Sequence, residues 1–222
     1  AKEVKAKIVW YGKGGDIKAE DISYLGNAST KFTLIEGQNK LVVHLPIIGE
    51  QFVNNALGAS AIAFCFGIKP NDIKNGLEKF KSLEHRMRTH LLKSGAFLLD
   101  DSYNNNPEAA KEALKTLKSV AEGRKMIVVF GDMLELGSLR SAAHQELGKT
   151  ISAMGVEKVI GVGEASRDLI KTAKDKMGDN ATWVSKTDKA LAVLRPLLGR
   201  GTVVLIKGSR GIGLDRLVGK LI

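Results

Sequence analysis

Three polar stretches of this chain carry residue types that can do chemistry together. The first, Asp100-Asp101-Ser102-Tyr103-Asn104-Asn105-Asn106-Pro107, sets two carboxylates beside a run of amides. A carboxylate there can accept hydrogen bonds from ribose hydroxyls, and exposed amides can read the edge of a base. Asn and Asp also favour such loops for local reasons, as turn and helix-capping residues. The second, Lys207-Gly208-Ser209-Arg210, groups two cations with a hydroxyl. That set suits a carboxylate or a phosphate, because Arg can bind either with two parallel hydrogen bonds; the alternative is an ordinary surface turn. The third, Gly131-Asp132-Met133-Leu134-Glu135-Leu136-Gly137, offers carboxylates that either position a substrate or a cation, or cap the next helix.

Other chemistries find no support. Gly148-Lys149-Thr150 ends like a triphosphate loop, but the required leading Gly falls at Ala143 and the segment lies in a helical pattern. Gly208 to Gly213 has its glycines in the wrong order for a dinucleotide fingerprint. Gly161-Val162-Gly163 follows a strand but lacks the third glycine, and reads as a tight strand-to-helix turn. His44, His85, His90 and His144 share no metal-ligand spacing, and no Gly-x-Ser-x-Gly elbow is present.

The elements that must position these stretches change rhythm near residue 84. Before it, Lys7–Gly12, Phe32–Ile35 and Lys40–Leu45 read as strands, Phe52–Gly67 as a buried Ala-rich helix, and 69–82 as a second helix with Pro70 in its first turn. After it, strand and helix alternate. Strands are expected at Ala96–Leu99, Lys125–Phe130, Val159–Val162, Thr182–Ser185 and Val203–Ile206. Helices are expected at Pro107–Ala121, Ser141–Met154, Ala165–Lys176, Asp188–Leu198 and Gly213–Leu221. Continuously apolar strands alternating with helices indicate a parallel sheet covered on both faces, so the second half is a doubly wound α/β domain. Ligands of such folds sit at the carboxyl ends of the strands, where all three polar stretches fall.

Composition agrees with a globular chain. Of 222 residues 44% are hydrophobic and 26% charged, proportions that exclude a disordered protein. The longest apolar stretch, Ala59–Gly67, is far short of the roughly 18 to 20 residues a membrane span needs. The single Cys65 cannot form an internal disulfide and is expected as a small buried residue. Ala1–Lys7 has no apolar core of a signal peptide behind it. With no initial Met, the sequence reads as a fragment opening just before a strand. The formal charge of +10 is scattered, with no basic run longer than two residues and 5% aromatics. That argues against nucleic acid and for small anionic ligands.

Taken together, the three stretches, with His144 after the second strand's loop and Gly211-Ile212-Gly213-Leu214 after the last, resemble the Mur ligases. These are the ATP-dependent amide ligases of peptidoglycan synthesis. The resemblance covers essentially the whole chain. It points to the branch that joins D-alanyl-D-alanine to UDP-N-acetylmuramoyl-tripeptide, because the Asp-Tyr-Ala-His-x-Pro loop of the diamino-acid-adding sibling is absent. It implies that residues 1–84 are the end of an ATP-binding central domain and residues 85–222 a complete C-terminal Rossmann-like domain. The UDP-binding domain, the phosphate loop and the magnesium ligands would lie upstream. By resemblance, Asn55, Arg86, Asp101, Tyr103 and Asn104 contact ATP, while Lys207, Ser209 and Arg210 face the dipeptide. The implied cofactors are ATP and magnesium. The implied setting is a cytoplasmic monomer acting on small molecules, with no complete catalytic set and no metal site in this chain. The family helix opening Gly-x-His-Asn-x-x-Asn-Ala here reads Gly49-Glu50-Gln51-Phe52-Val53-Asn54-Asn55-Ala56, so Gln51 and Phe52 depart from it. Rival readings are a nucleotide-binding module without ligase chemistry and a non-catalytic basic interaction domain.

Overall fold

The computed structural model describes residues 6, 8–26 and 29–222. The chain divides into two compact units, residues 1–82 and 83–222. The first unit holds three antiparallel strands in the order β1 (Ile17–Leu25), β2 (Ser29–Glu36), β3 (Asn39–Leu45), followed by α1 (Glu50–Cys65) and α2 (Pro70–Glu78). Thr30, Phe32 and Leu34 alternate inward along β2 and are buried, as the period of two requires. Thr30 also ties the segment entering α1: its hydroxyl donates to the Ile47 carbonyl (2.8 Å) and accepts from Gly49 N–H (3.3 Å).

Three expectations fail in this unit. No strand forms at 8–12, where Tyr11 makes only an isolated bridge to Ile17, and Lys7 lies outside the described residues. The strand that does form, β1, is rich in polar residues and bulges between Glu20 and Ser23, with Asp21 at φ 53°. Its pairing with β2, rather than any apolar alternation of its own, makes it a strand. Helix α1 buries only the face of Val53, Ala56, Leu57, Ser60 and Ala61, leaving Ile62 and Phe66 64% and 81% exposed. Cys65 lies on that open side and is exposed, not buried.

The second unit is one six-stranded sheet in the order β4-β5-β9-β6-β7-β8. Its strands are β4 (Arg88–Leu91), β5 (Phe97–Asp101), β6 (Lys125–Gly131), β7 (Lys158–Val162), β8 (Ala181–Val184) and β9 (Thr202–Lys207). All pairings are parallel except β4 with β5, an antiparallel edge the sequence did not announce. The connecting helices are α3 (Pro107–Ala121), α4 (Arg140–Ala153), α5 (Ser166–Met177), α6 (Thr187–Leu194) and α7 (Leu214–Gly219). Ile127, Val129, Ile160, Val162, Val204 and Ile206 gather with Ala190 and Leu194 of α6 and Leu214 and Leu217 of α7. The intervening Val128, Phe130, Val159 and Leu205 are buried on the opposite face, which α3, α4 and α5 cover. The mostly parallel, doubly wound α/β architecture is therefore as expected. Because β9 is last in sequence but central in space, the loops leaving β5 and β9 turn to opposite faces. That divergence opens a crevice at the carboxyl ends of these strands.

Candidate functional site

Strand register sets the centre of the site. Asp101 ends β5 and Lys207 ends β9, and the two are direct neighbours across the parallel pair. The Lys207 ammonium, 2% exposed, donates to Asp101 Oδ2 (2.6 Å) and to the Asn104 carbonyl (2.9 Å). Asp101 Oδ1 accepts from Met87 N–H (3.1 Å). Each carboxylate oxygen keeps a second lone pair, and the side chain remains 16% exposed, so a hydroxyl donor can still reach it.

The residues that follow Asp101 enter a cleft of ≈ 410 Å³ walled by Glu84, His85, Arg86, Ser102, Tyr103, Arg210 and Asp215. The Tyr103 ring anchors both arginines: the Arg86 guanidinium stands 4.4 Å from its centroid and that of Arg210 5.3 Å. Such cation–π contacts hold long cationic side chains in place. The Asn104 side chain is occupied locally, accepting from Asn105 N–H (2.9 Å). Asn105 is buried and donates to the Gly131 carbonyl (3.2 Å), while its Oδ1 has no hydrogen-bond partner among the described residues. Asn106 caps α3 by accepting from Ala109 N–H (2.8 Å), with Pro107 at the first helical position.

The dipeptide-facing set is the part of the expected site that the geometry corrects. Lys207 is buried, and its ammonium is engaged by Asp101 and Asn104, so it braces the site from below. Ser209 is 6% exposed; its hydroxyl accepts from Leu134 N–H (3.1 Å) and its N–H donates to the Asp132 carbonyl (3.2 Å). Of the three, only Arg210 is exposed. Close approach of Gly131 and Gly208 permits this knot: a Cβ on Gly208 would lie 3.2 Å from the Gly131 Cα and 2.8 Å from Leu214 Cδ1.

The Gly131–Gly137 stretch resolves toward capping. Asp132 is buried and accepts from Ala165 N–H (3.0 Å), Ser166 N–H (2.8 Å) and the Ser166 hydroxyl (2.7 Å). It caps α5, one helix further along than the next. His144 is buried too, with Nδ1 on the Arg140 carbonyl (2.7 Å) and Nε2 accepting from Met133 N–H (3.1 Å), the pattern of a neutral ring. Glu135 is exposed.

Asn55 belongs to the first unit, exposed on α1. One turn earlier the buried Oε1 of Gln51 has no partner among the described residues.

Sequence reasoning missed the pair His85–Asp100. His85 Nδ1 lies 2.8 Å from Asp100 Oδ2, and Asp100 is 1% exposed. Its only sequence signal was adjacency, His85 before Arg86 and Asp100 before Asp101. Nearby, burial lowers the His90 pKa; Asp100 opposes that shift, and Arg88 and His85 add to it. At the far edge, a hydrogen bond and the charge of Lys220 lower the pKa of the exposed Asp188. Among the described residues no group of three or more His, Cys, Asp or Glu is placed to hold a metal ion, and no helix is long and apolar enough to cross a membrane.

A doubly wound sheet with a polar cleft at the carboxyl ends of its strands, where Arg86 and Arg210 flank Tyr103, defines the class: an α/β domain of the kind that holds ligands at its strand ends. Residues 85–210 match the family model described as Mur ligase, glutamate ligase domain, and the chain belongs to the Mur ligase family. It is similar to the UDP-N-acetylmuramoyl-tripeptide--D-alanyl-D-alanine ligase of Bacillus subtilis, at 31% identity over 215 residues, covering 96% of this chain and 46% of that protein. The ligase of that name from Haemophilus influenzae is 32% identical over 223 residues, covering 98% and 47%. The crystal structure of MurF from Acinetobacter baumannii matches with a TM-score of 0.84 at 28% identity, over 97% of this chain and 46% of that one. The chain thus spans just under half the length of the curated relatives it matches.

Proposed function

We propose that this chain is the ATP-binding and dipeptide-binding C-terminal portion of a ligase that joins D-alanyl-D-alanine to UDP-N-acetylmuramoyl-tripeptide. In this reading residues 1–84 close an ATP-binding central domain and residues 85–222 form the domain that completes the site. The carrying observation is a braced carboxylate, Asp101, at the end of β5, followed directly by the cleft in which Tyr103 anchors two guanidinium groups. The reaction would activate the tripeptide carboxylate as an acyl phosphate, which the dipeptide amine attacks, releasing phosphate. Asp101 would take the ribose hydroxyls of ATP. Arg86 would neutralise phosphate charge, the main demand of phosphoryl transfer. Tyr103 and Asn104 would flank the nucleotide, and Arg210 would hold the dipeptide carboxylate. Asn55 would contact ATP. The magnesium ligands would lie in the upstream part of the enzyme. The protein would work as a cytoplasmic monomer on small molecules.

Phosphate release is the test, with ATP, magnesium, the UDP-linked tripeptide and D-alanyl-D-alanine all supplied. Dipeptide-dependent release is expected from the full-length enzyme and not from the 222-residue chain. Arg86→Ala in the full-length enzyme is expected to lower turnover by about 10²-fold or more. Nucleotide binding without any dipeptide-dependent release would leave a nucleotide-binding module and sink the ligase reading.

A further inference from the structure

His85 holds a backbone conformation that residues with a β-carbon rarely adopt, φ 60°, immediately before Arg86. Such a conformation persists only where its surroundings fix it, and it collects at working sites. Three contacts fix it here. Tyr103 N–H donates to the His85 carbonyl (3.1 Å). The ring's Nδ1 sits 2.8 Å from Asp100 Oδ2. The other oxygen of Asp100 accepts from Ser102 N–H (3.2 Å) and from the Ser102 hydroxyl (2.6 Å). Asp100 is buried, whereas the His85 side chain is 31% exposed and lines the cleft. The imidazole is thus locked to the interior through one nitrogen. A carboxylate at Nδ1 keeps the proton there, which leaves Nε2 as the acceptor available to the cleft.

We propose that His85 is the proton acceptor for the amine nucleophile of the ligation, with Asp100 as its positioning residue. The proposal rests on the ligase reading above. An α-amino group titrates near 7.7–8.0, so at neutral pH the incoming dipeptide is mostly ammonium and cannot attack. His85 Nε2 takes one proton. The freed lone pair forms the C–N bond at the acyl-phosphate carbon, the C–O bond to phosphate breaks, and its electron pair leaves with phosphate. The second amine proton departs on that phosphate, and His85 returns its own proton to solvent. The charges facing His85 are Asp100 from β5, His90 from β4, Glu84 and Arg86 from its own segment, and Arg210 and Asp215 from beyond β9.

The test uses the full-length enzyme with two acceptors, D-alanyl-D-alanine and hydroxylamine, the latter unprotonated at neutral pH. The variants are His85→Asn, which tolerates positive φ, and His85→Gly, which leaves room for added imidazole. Both are expected to lose about tenfold in dipeptide ligation at neutral pH, the share of the amine that is protonated there. Hydroxamate formation should stay within about threefold. Dipeptide ligation by the variants should climb about tenfold per pH unit toward the amine's own titration, and imidazole should restore the Gly variant. Parallel loss of both products, or no loss of either, would overturn the role. Absence of both products in the unmodified enzyme would instead sink the ligase reading itself.

Discussion

Lys207 shows how a residue's chemistry is redirected by its depth. An ammonium at a strand end reads as a ligand for an anion, yet here it is 2% exposed and its Nζ is bound to Asp101 and Asn104. It therefore braces Asp101, fixing the carboxylate's rotamer and offsetting its charge. Removing one partner of a buried pair leaves the other uncompensated, which costs about 3 kcal/mol at the lower end of the usual range. Lys207→Met is accordingly expected to lower the urea-unfolding free energy by about that amount. It should also weaken ATP binding more than Arg210→Ala does, while Arg210→Ala acts chiefly on the dipeptide. Equal stability of Lys207→Met and the parent would show the pair to be a mere neighbour contact.

Among the elements, α4 and α5 explain a motif that looked like phosphate chemistry. Gly148, in the false Gly-Lys-Thr ending, lies on α4 where α5 crosses it. A Cβ there would collide with the Leu169 carbonyl oxygen and stand 3.1 Å from the Thr172 Cβ. The glycine is present for close helix packing. In an exposed helix Gly→Ala gains about 1 kcal/mol, but here the obstacle is backbone and cannot swing aside. Gly148→Ala is therefore expected to destabilise by about 1–2 kcal/mol in thermal or urea unfolding; a stabilised variant would mean that the helices can part freely. Asp132 makes a similar point for α5. Its carboxylate satisfies two N–H groups at the helix start, so its burial is capping and not catalysis.

At the scale of the molecule, the second unit has its own continuous core from Leu98 through Ile127, Ile160, Val204 and Leu217. Residues 83–222 expressed alone are expected to unfold cooperatively, with near-ultraviolet and far-ultraviolet dichroism lost together. A non-cooperative transition would show that this core needs the first unit. The +10 charge is spread along the chain, and at the cleft Arg86 and Arg210 stand with Glu84 and Asp215.

By itself the sequence determined the alternating strand–helix order of residues 85–222, the doubly wound class and the strand-end placement of the polar stretches. Each of these follows from local periodicity and from loops that must leave a parallel sheet at its ends. Asp101, Tyr103 and Arg210 stand in segments whose polarity contrasts with the apolar strands before them, whereas Arg86 was singled out by the family resemblance alone. Only the tertiary structure decided which polar groups face ligand and which face one another. Lys207 and Ser209 turn inward because β9 is threaded between β5 and β6, an order no local pattern encodes. β1 and β4 exist through pairing, not through their own apolar alternation. His85 meets Asp100 only because β4 folds back antiparallel on β5, bringing together residues 15 apart in sequence. Cys65 is exposed because side-chain type sets a preference for burial, while the packing of α1 decides which face receives it.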